Sequence, residues 1–174
     1  CDDVADVPAC LRDKTVDELL LALPPKVGLI GTEGFNWFPV VDGVNMPDKP
    51  SKLLASGSFT KVPTILGANK DEGTLFFALG VSVPDDTAYT ALMDALVPGH
   101  GAEIVAKYPS MGSPKDAAAR AFGDGAFVCP TRRAARALSK AGVDAYLYHF
   151  VHAVESPLFP GLGAFHSAEV PFVF

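Results

Sequence analysis

The chain has 174 residues, of which 49% are hydrophobic and 20% charged, and its formal net charge is −6. These values are typical of one globular domain with a sizeable core, and they exclude a disordered or collagen-like chain. The acidic balance lacks the basic patch that nucleic-acid binding requires, and no apolar run is long enough to span a membrane.

Two of the three cysteines lie close together near residue 1. Cys1 and Cys10 bracket a short acidic loop, and a disulfide between them would contribute roughly 2–3 kcal/mol through chain entropy. The alternative is two free thiols in a reducing compartment. Cys129 is either a buried apolar residue or bonded to a cysteine that the chain does not contain. No Cys/His spacing resembles a zinc site, so no metal is expected.

Helix start and stop signals recur along the chain. Thr15 and Glu18 form a capping box for a short helix that Pro24-Pro25 ends. Phe38–Val41 is predicted as a short strand, followed by an Asp42-Gly43 turn. A further helix is predicted at 51–57. The next one runs from Pro84-Asp85-Asp86 to Pro98 and carries Ala91, Leu92, Ala95 and Leu96 on one side, and a separate helix then continues to about Tyr108. Two more helices are predicted, one from Pro114 to an interruption at Gly123-Asp124-Gly125 and one from Pro130 to Gly142.

Residues 62–77 are the most informative stretch. They begin as the β-branched, apolar run Val62-Pro63-Thr64-Ile65-Leu66, which is typical of a strand buried on both faces of a parallel sheet. The chain then becomes polar at Asn69-Lys70-Asp71-Glu72, passes a glycine and resumes as an apolar, helix-like segment. Ligands and catalytic side chains collect beyond the carboxyl ends of parallel strands, so Asp71 and Glu72 are candidate catalytic acids. The alternative is a solvated polar turn.

A second strand is predicted at residues 145–151, and strands separated by helices indicate an α/β fold with a parallel sheet. A Gly- and Pro-rich loop follows, and then His166. An acid after one strand and a histidine after a later one is the order of an α/β-hydrolase triad, in which the carboxylate orients the imidazole. A purely structural pairing of Glu72 with His166 is the alternative. Loop, packing or surface roles are expected for the other histidines, His100, His149 and His152.

Six motifs stand out along the chain: Cys1…Cys10-Leu11-Arg12, Trp37-Phe38-Pro39-Val40-Val41-Asp42-Gly43, Val62-Pro63, Asn69-Lys70-Asp71-Glu72-Gly73-Thr74-Leu75-Phe76, Phe127-Val128-Cys129-Pro130 and the run from His166 to Phe174. They resemble the type-B carboxylesterase/lipase family of α/β-hydrolases, which includes p-nitrobenzyl-esterase-like enzymes, fungal lipases and cholinesterases. The resemblance covers nearly the whole chain in the right order.

The resemblance implies roles for four polar residues. Glu72 matches the triad acid and His166 the triad base. Asp71 becomes a neighbouring, non-catalytic carboxylate. Glu169, three residues beyond the histidine, matches a buried carboxylate that supports the active site.

The same resemblance implies roles for apolar and sulfur-containing residues. Leu75 and Phe76 occupy positions that line the substrate gorge in the family. Cys1 and Cys10 match a small disulfide loop, which favours a secreted or periplasmic protein. Cys129 pairs with a downstream cysteine in some relatives, and because this chain contains no such cysteine, a free thiol is expected.

The family's serine, in a Gly-x-Ser-x-Gly elbow, and its Gly-rich oxyanion loop are expected upstream of this chain. Gly80-Val81-Ser82-Val83-Pro84 is the nearest imitation of the elbow, but it ends in proline, follows the acid and does not join a strand to a helix. Residues 1–174 are therefore interpreted as a single incomplete segment of an α/β-hydrolase domain. The segment would require the remainder of that domain and is expected to be inactive alone.

The expected function is hydrolysis of an apolar carboxylic ester through Ser-His-Glu acyl-enzyme chemistry, without a metal or organic cofactor. The alternative is a non-catalytic, cholinesterase-like adhesion or binding protein with the same fold. A glycine or alanine in place of the upstream serine would favour that alternative.

Overall fold

Two parallel strands place the candidate acid and base at the same end of a sheet. The computed structural model describes residues 1–24, 39–155 and 157–173. Within them, β1 (Thr64–Asn69) pairs in parallel with β2 (Ala145–Phe150), and Asn69 lies opposite Phe150. Helices occupy the connection between the strands, so the α/β prediction is confirmed.

The helices of the described residues follow the predicted start and stop signals. They are α1 (Val7–Arg12), α2 (Val16–Ala22), α3 (Pro50–Ser56), α4 (Thr74–Ala78), α5 (Asp86–Leu96), α6 (Gly101–Lys107), α7 (Pro114–Gly123), α8 (Cys129–Lys140) and α9 (Val170–Val173). None of them is long and apolar enough to cross a bilayer.

Residues 124–128 connect α7 to α8 as a π-helical turn, Asp124–Val128. The α-helix is therefore interrupted at the predicted Gly123-Asp124-Gly125, but the chain stays helical and only its hydrogen-bond spacing widens. The N–H of Cys129 donates to the carbonyl of Asp124, five residues earlier. Such insertions into α-helices are frequent at functional sites.

Residues 1–39 form the first of two compact units. The sulfur atoms of Cys1 and Cys10 are bonded to each other. The predicted capping box is confirmed: Glu18 N donates to Thr15 Oγ1 at 3.2 Å, and Thr15 N donates to Glu18 Oε2 at 2.9 Å. No residue of the described range 1–24 is buried, and the disulfide and these hydrogen bonds are local contacts within it.

The second unit, residues 40–174, contains the hydrophobic core. On α5 the buried side chains are Tyr89 and Met93, against which α6 and α7 pack. The predicted buried face of α5 is therefore wrong, because the helix buries Tyr89 and Met93 instead. Of the predicted residues, Leu92 and Leu96 are half-buried, and Ala91 and Ala95 are exposed.

The sequence predicted that strand β1 is buried on both faces, and this prediction is wrong. Ala68 and Asn69 at its carboxyl end are buried, but Ile65 is 73% exposed. Helix α8 packs on the sheet. Leu66 of β1 lines a cavity together with residues of α3 and α8. The sheet has two strands in the described residues, so less of its surface is covered than in a large parallel sheet.

The predicted strand at 38–41 is wrong for Pro39–Val41, which have no regular structure, whereas the Asp42-Gly43 turn is confirmed. Asp42 Oδ1 accepts from the backbone N–H groups of Val44 and Met46, both at 2.9 Å, and Gly43 has a φ of 76°. Some residues of the predicted elements and motifs lie outside the described residues: Pro25, Trp37, Phe38 and Phe174.

Candidate active site

The acid turn, Lys70–Gly73, connects the end of β1 to the start of α4. Glu72 is 6% exposed, and its Oε1 accepts a hydrogen bond of 2.7 Å from the backbone N–H of Asn69. The turn can approach α7 closely because residue 73 is glycine: a β-carbon there would lie 1.9 Å from the carbonyl oxygen of Ala119. Backbone contacts thus fix one oxygen of the Glu72 carboxylate and leave the other available.

The other oxygen meets His166. Glu72 Oε2 lies 2.7 Å from Nδ1 of His166, although the two residues are 94 positions apart in the sequence. The side chain of Glu72 is 7% exposed and that of His166 is 37% exposed. The structure therefore brings the predicted acid and base together, with the carboxylate shielded and the imidazole open on one side.

Asp71 anchors the loop that carries His166. Its N–H donates to the carbonyl of Ala164 at 3.0 Å, and its Oδ2 accepts from the Ala164 N–H at 2.9 Å. The hydroxyl of Thr74 lies 2.8 Å from both the Asp71 and the Leu162 carbonyl oxygens. The family resemblance implied a non-catalytic role for Asp71 beside Glu72, but nothing in the sequence indicated its hydrogen bonds to Ala164.

Asn69 and Glu169 form a polar link on the other side of the pair. Asn69 is fully buried, and its Nδ2 donates to the carbonyl of Phe165 at 2.7 Å and to Oε2 of Glu169. Glu169, predicted to be buried, is half-buried. Sequence reasoning missed Asn69; the signal available was its position as the last residue of the strand that precedes the candidate acid.

Aromatic rings surround the imidazole. The ring centroids of Phe76 and Phe127 lie 5.1 Å and 4.6 Å from that of His166, and these two phenylalanines stack on each other at 5.6 Å. Phe122 contacts Phe76 edge-on at 5.3 Å. Leu75 is half-buried beside Phe76 in α4. The sequence gives Phe127 no role beyond its motif, because it does not reveal that a π-helical turn brings this ring against His166.

Tyr148 of β2 is a further neighbour that sequence reasoning missed. Its ring occupies the space in which a β-carbon of residue 67 would lie, so residue 67 is glycine. Partial burial raises the pKa of the Tyr148 hydroxyl, and the negative charges of Glu169 and Glu72 raise it further. The carboxylates of the site thus act electrostatically on the sheet beneath them.

The remaining histidines and Cys129 lie apart from the Glu72–His166 pair. His100 is exposed and lies 3.1 Å from Oε2 of Glu103. His149 is exposed on β2. The ring centroid of His152 lies 6.2 Å from that of Phe150 and 5.4 Å from that of Phe172. Cys129 is exposed with a free thiol, which excludes the buried alternative. The described residues contain no group of His, Cys, Asp and Glu side chains suited to a metal ion.

A parallel sheet with an acid after one strand and a histidine after a later one is the arrangement of an α/β-hydrolase. The chain belongs to the carboxylesterase family, whose sequence model matches residues 1–174. It is 28% identical to an acetylcholinesterase of Leptinotarsa decemlineata over 95% of this chain and 29% of that protein. It is 29% identical to an acetylcholinesterase of Bungarus fasciatus over 98% of this chain and 31% of that protein.

A third relative is the crystal protein of Dictyostelium discoideum, which is 30% identical over 99% of this chain and 34% of that protein. The chain thus spans about a third of the length of these relatives.

Proposed function

We propose that this chain supplies the acid and the base of a carboxylic-ester hydrolase that works through an acyl-enzyme. Glu72 is the acid and His166 the base, and the nucleophilic serine and the oxyanion loop lie upstream of this chain. The observation that carries the proposal is the 2.7 Å contact between Glu72 Oε2 and His166 Nδ1. A distance of this size allows the hydrogen bond that orients the imidazole in a serine hydrolase.

The contact at Nδ1 determines the chemistry available at the other ring nitrogen. When Nδ1 of His166 is protonated and donates a hydrogen bond to the Glu72 carboxylate, Nε2 has a free lone pair. Nε2 takes the serine proton as the serine oxygen attacks the ester carbonyl, and it returns that proton to the departing alcohol. Glu72 stabilises the imidazolium formed between these steps, and a water molecule repeats the sequence to release the acid.

The surroundings of His166 favour an apolar ester. Phe76 and Phe127 place two rings against the imidazole, and Leu75 lies next to Phe76. Apolar and aromatic side chains beside a reactive group favour ligands with apolar groups. The two relatives named acetylcholinesterase support an ester as the substrate class.

Family membership alone does not carry the proposal, because the name of the Dictyostelium relative states no activity. A non-catalytic binding protein has no need of a shielded carboxylate held against an accessible histidine. The Glu72–His166 geometry therefore favours the hydrolase over the adhesion or binding alternative.

The test compares variants of the full-length protein that contains this chain. Glu72→Gln and His166→Ala are expected to lower kcat for a p-nitrophenyl ester by about 10³-fold and 10⁴-fold or more, respectively. The exposed pair His100 and Glu103 offers matched controls, since His100→Ala and Glu103→Gln remove the same residue types outside the site. Wild-type turnover by either triad variant would refute the assignment.

A fluorophosphonate probe separates the two functional classes. A serine hydrolase is labelled covalently at its nucleophile, and His166→Ala should slow that labelling strongly. A wild-type protein that folds but is neither labelled nor active would instead support the binding alternative.

The disulfide supports an oxidising environment, so we place the protein outside the cytosol, as a secreted or periplasmic protein. The remainder of the same hydrolase domain is its proposed structural partner. Mass spectrometry of the natural protein under non-reducing conditions tests the location, because reduced Cys1 and Cys10 would contradict it.

A further inference from the structure

Asn69 contacts the acid segment and the histidine segment at the same time. Its backbone N–H donates to Glu72 Oε1 at 2.7 Å. Its side-chain amide donates to the carbonyl of Phe165, the residue before His166, and to the carboxylate of Glu169, three residues after it. One residue at the end of β1 therefore holds the acid and both sides of the base.

The burial of Asn69 is costly in terms of stability alone. The residue is fully buried, and among the described residues its Oδ1 has no hydrogen-bond partner. A buried amide with an unsatisfied oxygen is less favourable than an apolar side chain of similar volume. The two N–H donors are both used, and both act on the chain around His166.

The contacts of Asn69 complement those of Asp71. Asp71 is hydrogen-bonded to Ala164, which lies two residues before His166 in the loop. Asn69 adds a contact at Phe165 and a second one beyond the histidine at Glu169. With the chain held on both sides, the imidazole has less freedom to move away from the Glu72 carboxylate.

We propose that Asn69 is a positioning residue of the hydrolase site, which sets the alignment of His166 with Glu72 through its side-chain amide. The catalytic part of this inference rests on the function proposed above. A group that acts by alignment changes kcat more than KM, since small displacements of catalytic groups cost up to about 10²-fold in rate.

The experiment uses the full-length protein with Asn69→Leu, which keeps the side-chain volume similar and removes both donors. Asn69→Ser serves as a second, smaller variant that retains one hydroxyl donor. Thr64→Val is the matched control, because Thr64 begins the same strand and its hydroxyl donates to the Val62 carbonyl at 2.9 Å, away from the histidine loop. Each variant is measured for kcat, KM, unfolding temperature and the downfield ¹H resonance of the proton between His166 and Glu72.

Asn69→Leu is expected to lower kcat about 10- to 100-fold with KM within about twofold, and to shift or broaden the downfield resonance. Asn69→Ser should give an intermediate loss, and it replaces the leucine variant if that variant does not fold. Thr64→Val should leave kcat and the resonance unchanged. A folded Asn69 variant with wild-type kcat and resonance would overturn the inference, as would a loss of kcat that only follows the folded fraction.

The resonance also separates this inference from the proposed function. If the wild-type protein hydrolyses no ester, the proposed function fails, but the resonance still reports whether Asn69 aligns His166 with Glu72. If the wild type is active and Asn69→Leu has the same kcat, the positioning role of Asn69 is refuted and the proposed function still stands.

Discussion

Asp71 and Ala164 are joined by two hydrogen bonds, one between backbone groups at 3.0 Å and one from the Ala164 N–H to the Asp71 carboxylate at 2.9 Å. Asp71 immediately precedes Glu72, and Ala164 lies two residues before His166. Their pairing extends the parallel sheet beyond its last regular residues, as the bridge between Asp71 and Phe165 shows. These contacts hold the loop that carries His166 against the turn that carries Glu72.

Replacement of Asp71 by alanine should therefore loosen the histidine loop. Ala164 is fully buried, so its N–H would lose its acceptor without gaining water, and unfolding free energy should fall by about 1–3 kcal/mol. Asp71→Asn retains an acceptor oxygen and should cost less. Denaturant unfolding measures the stability, and amide exchange at Ala164 reports the loop. Unchanged exchange in the alanine variant would contradict this account.

Gly73 should tolerate no side chain. A β-carbon at residue 73 would lie 1.9 Å from the Ala119 carbonyl oxygen, and backbone atoms cannot move aside as a flexible side chain could. Gly73→Ala is expected to destabilise the protein by about 3 kcal/mol or more and to displace Glu72. Thermal unfolding and esterase activity together measure both effects.

Gly125 provides the matched control for Gly73→Ala. A β-carbon at Gly125 has no neighbour within 4 Å, and the residue lies in the π-helical turn. Gly125→Ala should be neutral or stabilise by up to about 1 kcal/mol. Equal destabilisation by the two substitutions would exclude steric contact with α7 as the cause.

Strand ends and chain order predicted an acid at Asp71 or Glu72 and a base at His166, and the family resemblance selected Glu72 of the two carboxylates. The contacts of Asn69 could not be predicted, since they join residues 96 and 100 positions apart and depend on how two loops meet. The buried face of α5 was misplaced for a similar reason: alanine and leucine spacing fits several faces, and the packing of α6 and α7 selects the one with Tyr89 and Met93.

Phe127 should affect catalysis through its contact with His166. The centroid of its ring lies 4.6 Å from that of the imidazole, and an aromatic ring would attract the imidazolium that the proposed mechanism forms. Phe127→Leu keeps an apolar side chain but removes that ring, and kcat/KM should fall about 3- to 10-fold. Steady-state kinetics with a p-nitrophenyl ester measure the loss.

The control for Phe127 is Phe122, which contacts Phe76 and Phe127 at 5.3 Å and 6.0 Å. Phe122→Leu should lower stability with a smaller effect on kcat/KM. If both leucine variants lower kcat/KM equally, general packing rather than contact with the imidazole explains the role of Phe127.

Tyr108 should make the protein sensitive to alkaline pH. Burial and a 2.8 Å hydrogen bond to Oδ2 of Asp124, with the charge of that carboxylate, raise the pKa of the Tyr108 hydroxyl to about 12. An unfolded tyrosine titrates near about pH 10. The folded state therefore binds more protons between these values, and the contribution of Tyr108 to stability is present below about pH 10 and lost as pH rises through about 12.

Tyr108→Phe isolates this contribution from that of other groups that titrate at high pH. The variant should be less stable than wild type near neutral pH, because Asp124 loses a hydrogen-bond donor, and the difference should shrink from about pH 10 to 12. Asp124→Asn removes the charge but not the burial, so it should lower the Tyr108 pKa only in part. Denaturant unfolding at several pH values measures each difference. A stability difference that stays constant up to pH 12 would show that the Tyr108 hydroxyl has the same pKa in the folded and unfolded states, and the hydrogen bond to Asp124 would then have no role in alkaline unfolding.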